Sequence, residues 1–232
     1  MKYVTFALAA ALSAATASAA HADDGHFYVG GFVGDRFGNN EHFRGANLAG
    51  DPRVIQTPTK DGIFGGVTLG AVVARGKWGR ARVEGEISAS RNTVNRLILN
   101  DVQRQLLEGR KSTTTEMVNV VYDTPKLANL VRFSIGGGIG AAGIDYDVRY
   151  NVSAAGPTIN IPTSVAGQIG YQAIGGMTVD VAPHLELTAD VRYLTIAHHQ
   201  IERFNQSMGT LDSVLNARYH STAASIGFRY FL

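Results

Sequence analysis

The sequence has 232 residues, with 21 lysines and arginines against 19 aspartates and glutamates and no cysteine. A net charge of only +2 gives no basis for charge-driven binding of nucleic acid. We therefore expect no nucleic-acid partner. The absence of cysteine excludes disulfides and thiolate metal sites.

The N-terminus has the pattern of an export signal. Lys2 provides a positive start, an apolar stretch follows from Tyr3 to Leu12, and Ala20-His21-Ala22 offers small residues for cleavage, although the cleavage point stays open. The apolar stretch is about half of the roughly 20 residues that a spanning helix needs. We therefore predict a signal peptide at 1–22 and a single mature domain at 23–232.

Beyond the signal, the longest candidate for a membrane helix runs from Phe133 to Ile144 and consists mostly of glycine and alanine. It is also too short for a helical span, which takes about 20 residues. If the mature chain crosses a membrane, only a closed β-barrel can satisfy its backbone hydrogen bonds there.

Alternation with a period of two predicts β-strands along the mature chain. It is clearest in Arg80–Ser90, where charged or hydroxyl side chains occupy one face and small or apolar side chains occupy the other. The segments 185–193 and 221–232 repeat the pattern. We predict eight strands, at about 26–36, 62–74, 79–91, 113–123, 131–145, 164–180, 185–198 and 219–232.

The predicted connections alternate in length. Short turns are expected near Lys77, Pro125 and Pro183, and four long loops at 37–61, 92–112, 146–163 and 199–218. Short periplasmic turns opposite long extracellular loops are typical of outer-membrane barrels. A hairpin inside one of these loops would give ten strands, which the sequence leaves open. In the second loop, the leucines within 95–110 suggest a short amphipathic helix or a partner contact.

A soluble barrel with an apolar interior would show the same alternation, and three features favour the membrane instead. The first is a set of five arginines and five carboxylates on one face of the strands. Arginine pairs with carboxylates through its planar fork, so these groups can neutralise one another in a crowded polar lumen. The predicted lumen network comprises Arg80, Arg82, Glu84, Glu86, Asp123, Arg132, Glu186, Asp190, Arg192 and Arg229.

The second feature is the position of the aromatic residues, which gather near the strand ends. Aromatic rings at the two membrane boundaries form the girdles of such barrels. The predicted girdle consists of Trp78, Tyr122, Phe133, Tyr193 and Phe228.

The third feature is the last strand, Ser225–Leu232, in which Ser225, Gly227, Tyr230 and Leu232 follow the order polar, glycine, aromatic, hydrophobic. The segment resembles the C-terminal signal that the outer-membrane barrel assembly machinery recognises, although many such signals end in Phe rather than Leu. An apolar edge strand of this kind is an aggregation hazard unless barrel closure pairs it with the first strand.

On these residues the chain resembles the small outer-membrane β-barrel superfamily, which includes the opacity proteins, the barrel domain of outer membrane protein A and porin-family surface antigens of Gram-negative bacteria. The resemblance also rests on His26–Gly31, on the glycine-rich Phe133–Gly140 and on Gln168–Ala173. It implies an all-β fold, an eight-stranded antiparallel up-and-down transmembrane barrel with a narrow interior. It also implies a place in the bacterial outer membrane, among its lipids and lipopolysaccharide.

The glycines of the fifth predicted strand suggest a packing role. Glycine inside a strand marks a bend or a close approach. Gly136, Gly138 and Gly140 would face inward and leave room for long arginines on neighbouring strands. The alternative, a phosphate-binding loop, is disfavoured because no Lys-Ser/Thr pair follows the glycines.

The sequence gives little support for an enzyme. Adjacent residues in a strand point to opposite faces, which separates His220 from Ser221 as base and nucleophile. His198, His199 and Glu202 have suitable chemistry for zinc but are more typical of a polar loop. We expect no catalytic, cofactor or metal site.

Two functions remain open. One is a structural or interaction barrel that presents its loops to a host or surface ligand. The other is a narrow channel for small solutes, which the lumen charges would obstruct because eight strands enclose little more than side chains.

Overall fold

The computed structural model describes residues 26–128, 130–153, 156–206 and 208–232, without the side chains of residues 198 and 199. The predicted signal peptide lies outside them. The described chain forms one sheet of twelve strands. No helix within it is long and apolar enough to cross a membrane. The strands are β1 (Phe27–Arg36), β2 (Asn40–Asn47), β3 (Pro52–Pro58), β4 (Gly62–Gly76), β5 (Gly79–Thr93), β6 (Leu97–Leu99), β7 (Val102–Asp123), β8 (Val131–Asn151), β9 (Thr158–Ile161), β10 (Ser164–Ala182), β11 (Leu185–Asn205) and β12 (Thr210–Phe231).

Eight strands close into a ring near the connections at 77–78, 124–130 and 183–184, which we call the basal end. The ring runs β1–β4–β5–β7–β8–β10–β11–β12 and returns to β1. Its closure joins the last strand to the first, from Tyr28 opposite Phe231 to Arg36 opposite Ala223. Every strand pairing in this ring is antiparallel. The prediction of an all-β antiparallel barrel with a ring of eight strands is confirmed.

A second ring closes at the other end, which we call the distal end. It runs β2–β3–β6–β7–β8–β9–β11–β12 and returns to β2 through the pairing of Arg44 with Asn216. β7, β8, β11 and β12 belong to both rings. The other strands continue one another in pairs, β1 into β2, β3 into β4, β5 into β6 and β9 into β10, so the barrel has eight strand paths from end to end.

The prediction of four long loops is therefore wrong. The segment 37–61 contains β2 and β3, and most of 92–112, 146–163 and 199–218 is also strand. The predicted amphipathic helix within 95–110 is a hairpin of β6 and β7. The distal connections between strands, at 48–51, 100–101, 152–157 and 206–209, have two to six residues, so none is longer than the basal connection at 124–130.

The interior changes character along the barrel. Polar and charged side chains fill it within the basal ring, and an apolar cluster fills it within the distal ring. Along β12, for example, Arg229 and Ser225 are buried at the basal end, whereas Leu215 and Tyr219 are buried at the distal end. Inward positions alternate with outward ones, as the pleat of a strand requires, except where register shifts interrupt the pairing, as in β11 between Ile196 and His199.

Candidate functional site

The basal interior is the candidate site, and β5 supplies its first charges. Arg82, Glu84 and Glu86 lie two residues apart, so all three point inward, and each is buried. Arg82 is fully buried, and its guanidinium donates from Nε and Nη2 to the two carboxylate oxygens of Asp123, at 2.8 and 2.9 Å. Its Nη1 donates to the Tyr28 hydroxyl at 2.7 Å and also contacts Glu84. Arg82 is thus held on all sides.

Glu186 on β11 collects three arginines from three other strands. Arg80 lies 2.7 Å from its carboxylate, Arg132 lies 3.0 Å away and Arg229 lies 3.4 Å away. Arg80 also contacts Asp123 at 2.6 Å, which connects this group to Arg82. Ion pairs therefore cross the basal interior between strands that do not touch each other in the sheet.

A second group surrounds Glu86. Its carboxylate contacts Arg192 and accepts a hydrogen bond from Asn119 at 3.0 Å and one from Gln172 at 3.3 Å. Arg192 also pairs with Asp190 at 3.3 Å, and its guanidinium lies 4.0 Å from the centroid of the Phe32 ring. Five different strands contribute to this group, so it too ties opposite walls together.

The structure thus brings all ten predicted lumen residues inside the barrel, in two groups. Glu86, Asp190 and Arg192 form the smaller group, with one positive and two negative charges. The larger group has four arginines and three carboxylates: Arg80, Arg82, Arg132, Arg229, Glu84, Asp123 and Glu186. Asp180 extends this group toward the basal end, where it forms ion pairs with Arg132 and Lys126. Among the ten predicted residues, charges balance across the two groups and not within each.

The glycines of β8 face inward as expected, but they do not make room for arginines. A side chain at Gly138 would collide with the Asn119 amide, and one at Gly136 would collide with Val121, both on the neighbouring β7. The Asn119 amide in turn donates to Glu86. The glycines accommodate β7 and its neutral side chains, so the expected arginine packing is wrong.

A buried pair of opposite charges lies next to the apolar core and was not among the predicted residues. Lys111 on β7 is 2% exposed, and its Nζ lies 3.0 Å from the carboxylate of Glu41 on β2. Tyr146 donates to the other Glu41 oxygen at 3.1 Å, and Lys111 lies 4.6 Å from the Tyr219 ring. Both partners lie in segments that the sequence analysis predicts to be loops, for which it predicts no inward face.

The distal interior is an apolar core. It contains Phe43, Ile55, Leu97, Ile201 and Leu215 among others, and the ring of Phe43 meets that of Tyr146 edge-on with centroids 5.6 Å apart. A buried arginine, Arg203, also lies inside it. Arg203 donates to Ser213 at 2.8 Å and to the hydroxyl of Tyr150, and it pairs with Asp212 at 2.8 Å. Burial raises the pKa of Tyr150, and the Arg203 guanidinium opposes that rise.

The outer surface reverses the polarity of the interior. Around the basal ring it presents exposed aliphatic side chains, which we call the apolar belt, including Val33, Val67, Val118, Ile135, Ile139, Leu187, Val191 and Ile226. Around the distal ring the outward residues are mostly polar, such as Arg44, Gln103, Gln200 and Asn216.

The predicted girdle residues are all exposed, but they do not form two complete rings. Trp78, 73% exposed, lies in a basal turn, and the nearby Tyr122 donates to its carbonyl oxygen. Phe133 and Phe228 lie a few residues from the basal end of their strands, whereas Tyr193 lies farther up β11. Tyr171, half exposed at mid-strand, was missed because β10 has no charged alternation to mark its faces.

The predicted assembly segment forms the basal half of β12. Ser225 and Gly227 point inward, and Tyr230 points outward. The backbone N–H of Leu232 donates to the Phe27 carbonyl at 2.9 Å, which fixes the chain end beside the first strand.

The structure separates the candidate catalytic pair. Ser221 is buried against Arg36, and His220 is exposed on the opposite face. The described residues contain no group of three potential metal ligands. Of the candidate metal ligands, the side chains of residues 198 and 199 lie outside the described part of the chain.

Comparisons with known proteins identify the family and find solved structures with a similar fold. The model of the family described as "Outer membrane protein beta-barrel domain" matches residues 6–230. The crystal structure of the outer membrane protein OprG from Pseudomonas aeruginosa is 12% identical, with a TM-score of 0.58 over 90% of this chain and 96% of that chain. The outer membrane protease OmpT from Escherichia coli is 7% identical, with a TM-score of 0.57 over 89% of this chain and 97% of that chain. A search of curated proteins finds no match.

Proposed function

The chain belongs to the outer membrane protein β-barrel domain family, and we propose that it is a closed structural barrel whose distal half projects from the bacterial outer membrane as an interaction surface. Its location in the outer membrane follows from the family. The role, the orientation and the closure of the interior are argued below.

The reversal of polarity between the two halves supports the proposal most strongly. On the outward face of β12, Ile226, Phe228 and Tyr230 are exposed near the basal end, whereas Asn216 and Arg218 are exposed in the distal half. A barrel wall in hydrocarbon must be apolar outside, and one in water must be polar outside. The basal half therefore suits the bilayer, and the distal half suits water.

The strands are long enough for both environments. At about 3.3 Å per residue, the path of β12 from Thr210 to Phe231 is roughly 70 Å long. With a strand tilt of about 40°, the barrel wall is roughly 55 Å high. The apolar band of such barrels is only about 25 Å tall, so about half of the wall is left to project.

The interior is filled with side chains along its whole length, which favours a closed barrel rather than a channel. Ion pairs cross the basal interior, and the apolar core, with the buried Lys111–Glu41 pair against it, fills the distal half. An eight-stranded barrel is only about wide enough for its own side chains. A continuous path for solutes would require both the charged groups and the core to rearrange.

A non-enzymatic role is part of the proposal. OmpT is a protease, but at 7% sequence identity its similarity to this chain is evidence of a shared fold only. Ser221, the serine next to a histidine, points into the barrel and contacts Arg36, away from the exposed His220. A host or surface ligand would instead meet the polar distal wall.

Planar-bilayer recording of the refolded protein tests the closed barrel against the channel. We expect no steady conductance from the native protein. Steady pores whose conductance changes in Arg82→Ala or Glu84→Ala would establish the channel and contradict the proposal. Migration of unboiled and boiled samples on gels serves as the control for folding, since a stable barrel migrates differently before it is boiled.

A further inference from the structure

Arg36, the last residue of β1, is a buried arginine that no carboxylate of the described residues contacts. It is 3% exposed. Its Nη1 donates to the hydroxyl of Ser221 and, at 3.4 Å, to that of Tyr219, and its guanidinium lies 4.7 Å from the centroid of the Phe64 ring. Its Nε is buried and has no hydrogen-bond partner among the described residues. Arg36 therefore differs from the arginines of the predicted lumen network, each of which forms an ion pair.

The carboxylates nearest to Arg36 in the sheet do not pair with it. Asp35, the preceding residue, is exposed on the outward face. Arg36 lies opposite Ala223 on β12, which in turn lies opposite Arg192 on β11. Asp190, two residues along β11, pairs with Arg192 at 3.3 Å. Its negative charge attracts Arg36 only from a distance and leaves the Arg36 guanidinium without a contacting anion.

A second buried cation packs against the same tyrosine. Lys111 Nζ lies 4.6 Å from the centroid of the Tyr219 ring and 3.0 Å from the carboxylate of Glu41. Thr113 donates to the Tyr219 hydroxyl at 3.4 Å. We call Arg36, Glu41, Lys111, Thr113 and Tyr219 the buried basic cluster, and all five are buried. It contains two cations and one carboxylate, so it has an excess of one positive charge.

The excess charge is accompanied by hydrogen-bond donors that lack acceptors. Arginine keeps its proton even when it is buried, and a buried charge is costly unless it is paired. The Nε of Arg36 has no acceptor. Ser90 on β5 lies opposite Thr113, and its buried hydroxyl also has no partner among the described residues. A positive charge with free donors around it is an environment that suits an anion.

We infer that the buried basic cluster binds a small monatomic anion, of which chloride is the abundant example. Guanidinium, ammonium and hydroxyl groups are the donors that such an anion needs, and the cluster supplies all three. Arg36, Lys111 and Thr113 already contact Tyr219, which leaves little space for an oxyanion such as phosphate. The inference goes beyond the proposed function and does not depend on which end of the barrel faces the cell.

Urea titration of the refolded protein in lipid vesicles tests the inference, with potassium chloride exchanged for potassium gluconate at constant ionic strength. A ligand that binds only the folded state stabilises that state by mass action. We expect the unfolding equilibrium constant to fall about ten-fold for each ten-fold rise in chloride well above the dissociation constant. Equal stability in the two salts at every chloride concentration would overturn the inference.

Four variants test whether the excess charge is responsible. Arg36→Met removes the cation and is expected to lose the response to chloride. Lys111→Met leaves Arg36 with Glu41 as an equal and opposite charge, so it should bind chloride at least about ten-fold more weakly. Glu41→Gln increases the excess charge and should bind chloride more tightly than the native protein. Arg91→Met, which removes an exposed arginine of β5, is the matched control and should respond like the native protein.

The position of the anion is tested separately, by crystals of the native protein grown in bromide. We expect an anomalous bromine peak beside Nε of Arg36, and bromine peaks confined to other places would contradict the inference. This measurement decides the matter if Arg36→Met does not fold. A response to chloride in Arg36→Met equal to that of the native protein would also overturn it. Phenolate absorption at neutral pH that disappears in Tyr219→Phe would identify Tyr219 itself as the counter-charge, against the inference.

Discussion

Arg82 shows at the level of one residue how the basal interior is held together. It is fully buried and is shared by Asp123, Glu84 and Tyr28. A buried ion pair need not be more stable than an apolar substitute, but removing one partner leaves the other charge uncompensated. Removing this one arginine therefore lowers the stability of the fold, whether or not the network as a whole makes the barrel more stable than an apolar interior would.

We predict that Arg82→Ala lowers the free energy of unfolding by about 3–5 kcal/mol, because the Asp123 carboxylate is left buried without its bidentate partner. Urea titration in lipid vesicles, followed by the loss of the compact form on unboiled gels, measures the change. Arg91→Ala is the matched control, since Arg91 lies on the same strand but is exposed, and surface substitutions change stability by about 0.5 kcal/mol or less. Equal midpoints for the two variants would mean that the interior charges are solvated.

The charged residues of the site could be predicted from the sequence, and their partners could not. Ten charges fell on one face of their strands by alternation alone, and that is the face the structure puts inside. Asn119, Gln172 and Tyr28 were missed because neutral polar and aromatic side chains are common on either face. Which carboxylate each arginine meets depends on the register of strands far apart in sequence.

At the level of the element, β12 combines two environments in one strand. Ser225 and Arg229 point into the polar interior, and Leu215 and Tyr219 point into the apolar core. The alternation continues without interruption, but its inside becomes apolar above Ser221. A prediction that requires a polar inner face therefore assigns the distal segments to loops, because their inner face is apolar.

Turn chemistry also carried a signal that was missed. Asn100 and Asp101 both have positive φ, at 48° and 62°, and join β6 to β7 in a two-residue turn. Positive φ at both central residues is characteristic of type I′ hairpin turns, in which Asn and Asp are favoured. Leu-Asn-Asp-Val between alternating residues thus indicates a hairpin, which excludes the predicted helix.

We predict that Leu215→Ala loosens the distal half while the basal half stays closed. Removing a fully buried leucine costs about 2–5 kcal/mol, and Leu215 packs only in the distal core. Limited proteolysis of the protein in vesicles should then cut the distal strands and spare the basal ones, as mass spectrometry of the fragments would report. Asn216→Ala changes the exposed neighbour and should remain resistant. If both variants resist equally, the distal core does not determine the rigidity of the projecting wall.

At the level of the whole molecule, the orientation of the barrel follows from where its apolar surface ends. We predict that an epitope inserted in the distal turn at 48–51 is detected on intact cells, because that turn stands well beyond the apolar belt. The same epitope in the basal turn at 77–78 should be detected only after the outer membrane is permeabilised. Antibody binding to both variants, with and without permeabilisation, measures this. Detection of the basal epitope alone on intact cells would reverse the orientation.

The sequence by itself determined the β-architecture, the antiparallel barrel and the charged face, because the period-two pattern and the turn residues are local properties of the chain. Only the tertiary structure decided that the barrel continues past the apolar belt as a second ring, with an apolar core where loops were expected. It also decided the division of the charges into two groups and the buried Lys111–Glu41 pair. Those features depend on the pairing of strands distant in sequence, and whether an alternating face is inside or outside depends on the medium around the closed barrel.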